Sequence, residues 1–132
     1  MRRLLLDSHA FVWAKLEPGK LSNAARAAVF DPDNSVFVSV ASAWELWIKH
    51  AKKPVSPVLD GGPAAFLSAA NESGIALLDI TLGHAAVAAD LPLWHRNPFD
   101  RMLIAQAIVE QLTLVTADTV IARYEGFDRL PC

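Results

Sequence analysis

The sequence predicts an α/β fold of three layers, with a central parallel sheet flanked by helices on both faces. Runs of strand composition alternate with runs of helical periodicity along the whole chain. The connectors between them are short, which restricts parallel strands to right-handed crossovers. Of the 132 residues 53% are apolar, enough to build the core of one domain over residues 1–132 without disulfides or a structural metal.

The first element, RLLLD (3–7), is a short apolar run ending in an acid and reads as a strand. In SHAFVWAKL, Phe11, Val12 and Leu16 recur at helical spacing until Pro18 and Gly19 stop the helix. Ser22 caps a second helix over 22–30, and Pro32, Asp33 and Asn34 turn the chain into SVFVSV (35–40), β-rich by composition. The third helix, ASAWELWIKHAKK (41–53), carries Trp44, Trp47, Ile48 and Ala51 on one stripe and ends at Pro54 and Pro57. Residues 54–63 form a Pro/Gly loop. A fourth helix starts at Pro63 and is closed by Gly74, IALLDI (75–80) is strand-like, and LGHAAVAAD (82–90) is a short helix. LPLWHRN connects to a helix at 98–111, with Asn97 as its cap and Pro98 in its first position. LTLVTAD (112–118) is a β-branched run ending in an acid, followed by a short helix near 119–123 and a last strand, FDRL. There is no internal repeat or low-complexity segment.

Composition narrows the function classes. A net charge of −2 argues against holding nucleic acid through a broad basic face, so any such role rests on a local site. The single cysteine, Cys132, has no partner in the chain, which suits a reducing compartment and makes a cytosolic location the expectation. The start, MRRLLLDSHAFVWA, has the two arginines of a signal peptide, but Asp7 and His9 interrupt its apolar stretch, and no apolar run is long enough to span a bilayer.

In a parallel α/β sheet the ligand site lies outside the carboxyl ends of the strands. Asp7 ends the first strand, Asp118 ends the fourth, and Glu45 lies in the first turns of the helix after the second. Asp100 begins a helix whose start is not assigned to either edge by the sequence. Carboxylates brought together raise one another's pKa unless a cation neutralises them, and an oxygen-rich site suits Mg²⁺ or Mn²⁺. Each acid also has a plain structural reading. Asp7 and Asp118 serve as turn residues, Ser42 and Glu45 match the S-x-x-E capping box, and Asp100 at N3 faces the helix dipole. Both readings stand open for all four.

The segments LLLDSHAFVWA, VASAWELWIK, HRNPFDRMLIAQA and LTLVTAD resemble the four acidic motifs of PIN-domain ribonucleases, specifically the VapC-like toxins of bacterial toxin–antitoxin pairs. The resemblance covers almost the whole chain and implies a PIN-like fold. It implies that Asp7, Glu45, Asp100 and Asp118 form a metal-binding catalytic cluster, with Ser8 and Thr116 as polar neighbours. It departs from many relatives in having Ser8 for threonine and Asn97 for aspartate. It further implies Mg²⁺- or Mn²⁺-dependent cleavage of RNA phosphodiesters, a homodimer, and a small antitoxin whose tail covers the active site.

Other residues receive structural expectations. His9, His50, His84 and His95 lack zinc-ligand spacing and are excluded from the site as surface or packing groups. KHAKK (49–53) complements a helix dipole in preference to contacting RNA. Arg96 and Arg101, flanking Asp100, are the candidates for phosphate contact, with pairing to an acid as their alternative. Trp13, Trp44, Trp47 and Trp94 are expected in the core, with a partner surface second. Two rival functions are a Mg²⁺-dependent acid-cluster phosphotransferase or receiver domain, and a non-catalytic PIN-like RNA-binding module. Against the former, Ser8 and His9 after Asp7 give no D-x-D signature; against the latter, all four acids are intact.

Overall fold

The computed structural model describes residues 1–132. Five strands, β1 (Arg3–Leu6), β2 (Ser35–Ser39), β3 (Ile75–Leu78), β4 (Thr113–Thr116) and β5 (Asp128–Pro131), form one sheet in the order β3-β2-β1-β4-β5. Every neighbouring pair is parallel. Six helices accompany them: α1 (Ser8–Leu16), α2 (Asn23–Val29), α3 (Val40–Lys52), α4 (Gly62–Glu72), α5 (Leu82–Asp90) and α6 (Pro98–Glu110). The expected short helix near 119–123 is a 3-10 turn at Ile121–Arg123, and the expected loop 54–63 contains another at Pro57–Gly61.

The sheet is buried on both faces because its central strands carry apolar side chains on both sides. In β1, Leu4 and Leu6 join one core with α1, α2, α3 and α4, while Leu5 points to a second core with α6. β4 repeats the division, with Val115 in the first core and Leu114 in the second. Alternation of side chains across a strand, with both faces covered, gives the uninterrupted apolar runs seen in the sequence. Strand order reverses between β1 and β4, and the crevice at such a switch point opens at the carboxyl ends of those two strands.

The α3 stripe expected to be buried is instead largely exposed. Trp44 is 58% exposed and Ile48 38%, whereas Ala41, Ser42, Ala43, Glu45 and Leu46 are buried. Small residues allow the helix to approach the sheet closely, and this rotation carries Glu45 inward. Trp44 lies edge-on to Phe99 at 4.9 Å, and Trp94 is 45% exposed, so these two depart from the core placement. Trp13 and Trp47 do pack against the first core. α6 leads directly into β4, so it runs antiparallel to that strand and begins at the sheet's carboxyl edge. That placement settles which edge Asp100 occupies. The helix ends at Gln111, whose φ of 56° makes it the chain's one non-glycine residue in the left-handed region. No helix is long and apolar enough to cross a membrane.

Candidate active site

Four loops and helix starts meet above the carboxyl ends of β1 and β4. A cleft of about 400 Å³ there is lined by Asp7, Ser8, His9, Glu45, Lys49, His95, Asn97, Asp100, Ala117 and Asp118. All four acids singled out in the sequence share it.

Each acid is held by local structure. Asp7 follows β1 and caps α1, its Oδ1 accepting the Ala10 N–H at 2.8 Å, so its turn-closing role and its place in the cleft coexist. Asp118 follows β4; its Oδ1 accepts the Val120 N–H at 2.8 Å and starts the turn that follows. Thr116 ties these two together. Its Oγ1 accepts the Asp118 N–H at 3.0 Å, and its hydroxyl is near enough to Asp7 to favour the ionised carboxylate there. Glu45 is buried on α3; it accepts hydrogen bonds from the Ser8 hydroxyl and, at 3.3 Å, from Asn97 Nδ2, and Lys49 Nζ lies 3.6 Å away. Asn97 also caps α6, its Oδ1 accepting the Phe99 and Asp100 N–H groups at 2.9 and 3.4 Å. An aspartate at position 97 would set a further carboxylate against Glu45, whereas the amide donates to it.

The capping-box reading of Ser42 and Glu45 is overturned. α3 starts immediately after β2 with Ser39 as its cap, accepting the Ala41 N–H at 3.0 Å, so Ser42 lies inside the first turn. The buried Ser42 hydroxyl has no hydrogen-bond partner. We expect Ser39→Ala to cost about 1 kcal/mol in chemical denaturation, the usual loss of a cap. Ser42→Ala should be neutral or slightly stabilising, since it removes an unpaired buried hydroxyl. The reverse order would restore the box.

The exclusion of all four histidines is corrected at His95. Its Nε2 lies 2.7 Å from Asp118 Oδ2 and 3.1 Å from Asp100 Oδ2, inside the cleft. The connector that carries it is bent back over the site by contacts distant in sequence. His95 N–H donates to the Tyr124 hydroxyl at 2.7 Å, and that hydroxyl donates to Pro92 O at 2.6 Å. His50 and His84 keep structural roles, pairing with Asp60 and Glu110, and His9 stacks on Trp13 at the rim. Lys49, read as a dipole partner, lies one turn along α3 from Glu45, pairs with it at 3.6 Å and lines the cleft beside it.

Arg101 is withdrawn as a phosphate contact. Its guanidinium donates to the carbonyls of Ala88, Leu91, Pro92 and His95 at 2.8 to 3.4 Å, tying the end of α5 to the connector that carries His95. Arg96 is exposed and makes no ion pair.

The electrostatics are those of crowded acids. Burial raises the Asp7 carboxyl above its ordinary range, with the Thr116 hydroxyl and the Ala10 N–H pulling the other way. Burial and then the Glu45 charge push Asp100 up to about 6. Asp118, more open and hydrogen-bonded by His95 and the Val120 N–H, is held below the usual carboxylate range despite some desolvation. The Cys132 thiol, raised to about 12 by burial and by Asp7, is not a nucleophile. Oxygen donors that cannot all ionise without a counter-charge are the donor set of a hard divalent cation. Asp7, Glu45, Asp100 and Asp118 fit that requirement.

A parallel sheet in this strand order, with four carboxylates converging at its switch point, defines a class: α/β domains with an acid cleft suited to a divalent cation. The chain belongs to the PIN domain family, whose model matches residues 4–126. It is 34% identical over 122 residues to Ribonuclease VapC22 of Mycobacterium tuberculosis strain H37Rv, covering 89% of this chain and 88% of that protein. Its fold is similar to that of VapBC2 from Rickettsia felis, described as bound to a promoter DNA fragment, with a TM-score of 0.69 at 16% identity over 98% of both chains. It is also similar to the DNA-bound VapBC of Salmonella typhimurium, with a TM-score of 0.67 at 17% identity over 99% of this chain and 98% of that one. The family match sets aside the phosphotransferase or receiver alternative.

Proposed function

We propose that the chain is a single PIN domain acting as a metal-dependent endoribonuclease, the toxin of a toxin–antitoxin pair. The observation that carries this reading is the convergence of Asp7, Glu45, Asp100 and Asp118 on one cleft, with Asp100 raised to about 6 by burial and by Glu45. The 34% identity to a ribonuclease over most of both chains supports the choice of substrate.

In this reading Asp7, Asp100 and Asp118 hold Mg²⁺ or Mn²⁺, with Glu45 as a further ligand or as the group that orients water. Such a cation, when bound, supplies charge stabilisation for the phosphodiester and activation of the attacking water. The chain's own residues fix the carboxylates. Ser8 and Asn97 aim Glu45, Thr116 couples Asp7 to Asp118, and the Asn97 cap places Asp100 at the mouth of the site. Arg96, exposed beside His95, is the candidate phosphate contact. In the hydrolysis the water oxygen bonds to phosphorus as the bond to O3′ breaks, and a proton passes to O3′. No side chain forms a covalent bond with the substrate.

The partners in this account are RNA, a cognate small antitoxin whose tail covers the cleft, and a second copy of the chain. The exposed Trp44 and Ile48 on α3 supply apolar surface for association. The location is the cytoplasm. Expression of the wild type should arrest growth, and co-expression of the adjacent small gene should relieve the arrest. Glu45→Gln, accumulating as folded protein, should leave growth unaffected. Arrest by that variant at wild-type strength would return Glu45 to a packing role, and harmless wild type at equal yield would remove the toxin reading.

A further inference from the structure

The hydrogen bonds around His95 fix its tautomer. The Asn97 backbone N–H, which can only donate, meets Nδ1 at 3.1 Å, so Nδ1 presents its lone pair and Nε2 carries the hydrogen. That Nε2–H points between Asp118 Oδ2 at 2.7 Å and Asp100 Oδ2 at 3.1 Å. The ring has little freedom to turn away. Its side chain is 12% exposed, and its backbone is pinned by the Tyr124 hydroxyl and, through the His95 carbonyl, by Arg101.

By distance alone His95, Asp100 and Asp118 make a ligand triad, since their donor atoms lie within 4.8 Å of one another. A ligand nitrogen must offer a lone pair to the cation, and this nitrogen offers a hydrogen. We propose that His95 is a positioning residue and not a metal ligand: its Nε2–H gathers the Asp100 and Asp118 oxygens and competes with a divalent cation for them. This inference rests on the metal-dependent reading of the cleft. It gives the site a resident hydrogen-bond donor that lowers carboxylate repulsion and sets a limit on how tightly the cation is held. A coordinating histidine would do the opposite and add affinity.

Mn²⁺ binding by electron paramagnetic resonance, melting in EDTA, and imidazole ¹⁵N shifts of the wild type in EDTA and in saturating Mg²⁺ test the assignment. We expect Nδ1 to be unprotonated and Nε2 protonated in EDTA, with the same tautomer in Mg²⁺. We expect His95→Ala to bind Mn²⁺ severalfold more tightly than wild type and to melt lower in EDTA, so that its metal-induced stabilisation is larger. His95→Gln, which keeps an amide donor, should fall between the two, and it carries the comparison if the alanine variant does not fold. Loss of the Nε2 hydrogen on adding Mg²⁺, or weaker Mn²⁺ binding by His95→Ala, overturns the proposal while leaving the metal-dependent reading intact. Absence of Mn²⁺ binding by wild type and variants alike overturns both.

Discussion

Asp100→Asn is expected to melt higher than wild type in EDTA at neutral pH, to lose most of the stabilisation that Mn²⁺ gives the wild type, and to cleave RNA poorly. The first part follows from the raised carboxyl. Between pH 3.8 and about 6 the folded chain keeps a proton on Asp100 that the unfolded chain has released. Stability therefore falls as pH rises through that window, and the whole cost is present above it. A displacement of this size corresponds to roughly 2 to 3 kcal/mol, which an uncharged residue does not incur. As a mere N3 partner of the helix dipole, Asp100 would instead stabilise α6 by about 0.3 to 1 kcal/mol, and its loss would lower the melting point with or without metal. The two accounts thus differ in sign. In Mn²⁺ the order reverses, because a cation that binds only the folded state stabilises the protein that has its ligands. The activity loss should exceed the roughly 100-fold upper end expected for an outer-shell partner. A variant that melts lower in EDTA, shifts with Mn²⁺ as wild type does and cleaves RNA normally would reduce Asp100 to the start of a helix.

Arg101→Ala should destabilise the chain on the order of 3 kcal/mol. Four carbonyls share one guanidinium, and hydrogen bonds to a charged donor contribute about 1.5 to 3 kcal/mol each without adding linearly. Arg101→Lys should recover only part of this, since a compact ammonium cannot span carbonyls contributed by α5 and by the connector after it. Salt dependence of RNA binding separates this role from phosphate contact. Arg96→Ala should reduce the magnitude of the log–log slope by about 1, and Arg101→Lys should leave it unchanged. An Arg101→Ala protein as stable as wild type, with a reduced slope, would reverse the two assignments.

The contrast between these arginines shows how far the sequence reads. Both flank the same acid in HRNPFDR, and nothing local distinguishes them. Arg101 is spent on the backbone because it faces the end of α5, a fact of tertiary packing. The elements themselves were legible wherever one physical cue dominated. Leu4, Leu5 and Leu6 announce a strand buried on both faces, Pro98 after Asn97 starts α6, and Gly74, at φ 69°, closes α4. Asp7 and Asp118 were legible because carboxyl ends of parallel strands share an edge. Asp100 required the further step that α6 runs antiparallel to β4.

Other features depended on geometry that no local pattern carries. The α3 stripe misled because it holds the helix's largest apolar side chains, Trp44, Trp47 and Ile48, whereas the small Ala41, Ser42 and Ala43 are the ones buried against the body of the protein. Ser42 matched a capping box in spacing, but the helix had already begun from Ser39. His95 was excluded for lacking zinc-ligand spacing, a test blind to a histidine that serves carboxylates from a connector whose path is fixed by Tyr124 and Arg101. The available signal was its position five residues before Asp100 in a segment already singled out for its acid.

The most direct measurement for the central claim is the chemistry of the cut ends. A defined RNA incubated with the purified chain should be cleaved in Mg²⁺ or Mn²⁺, and EDTA should abolish cleavage, because four converging carboxylates repel a phosphodiester until a divalent cation neutralises them. Products should carry 5′-phosphate and 3′-hydroxyl ends, as attack by water with departure of O3′ requires. Cleavage that persists in EDTA and leaves cyclic phosphate ends would contradict the account.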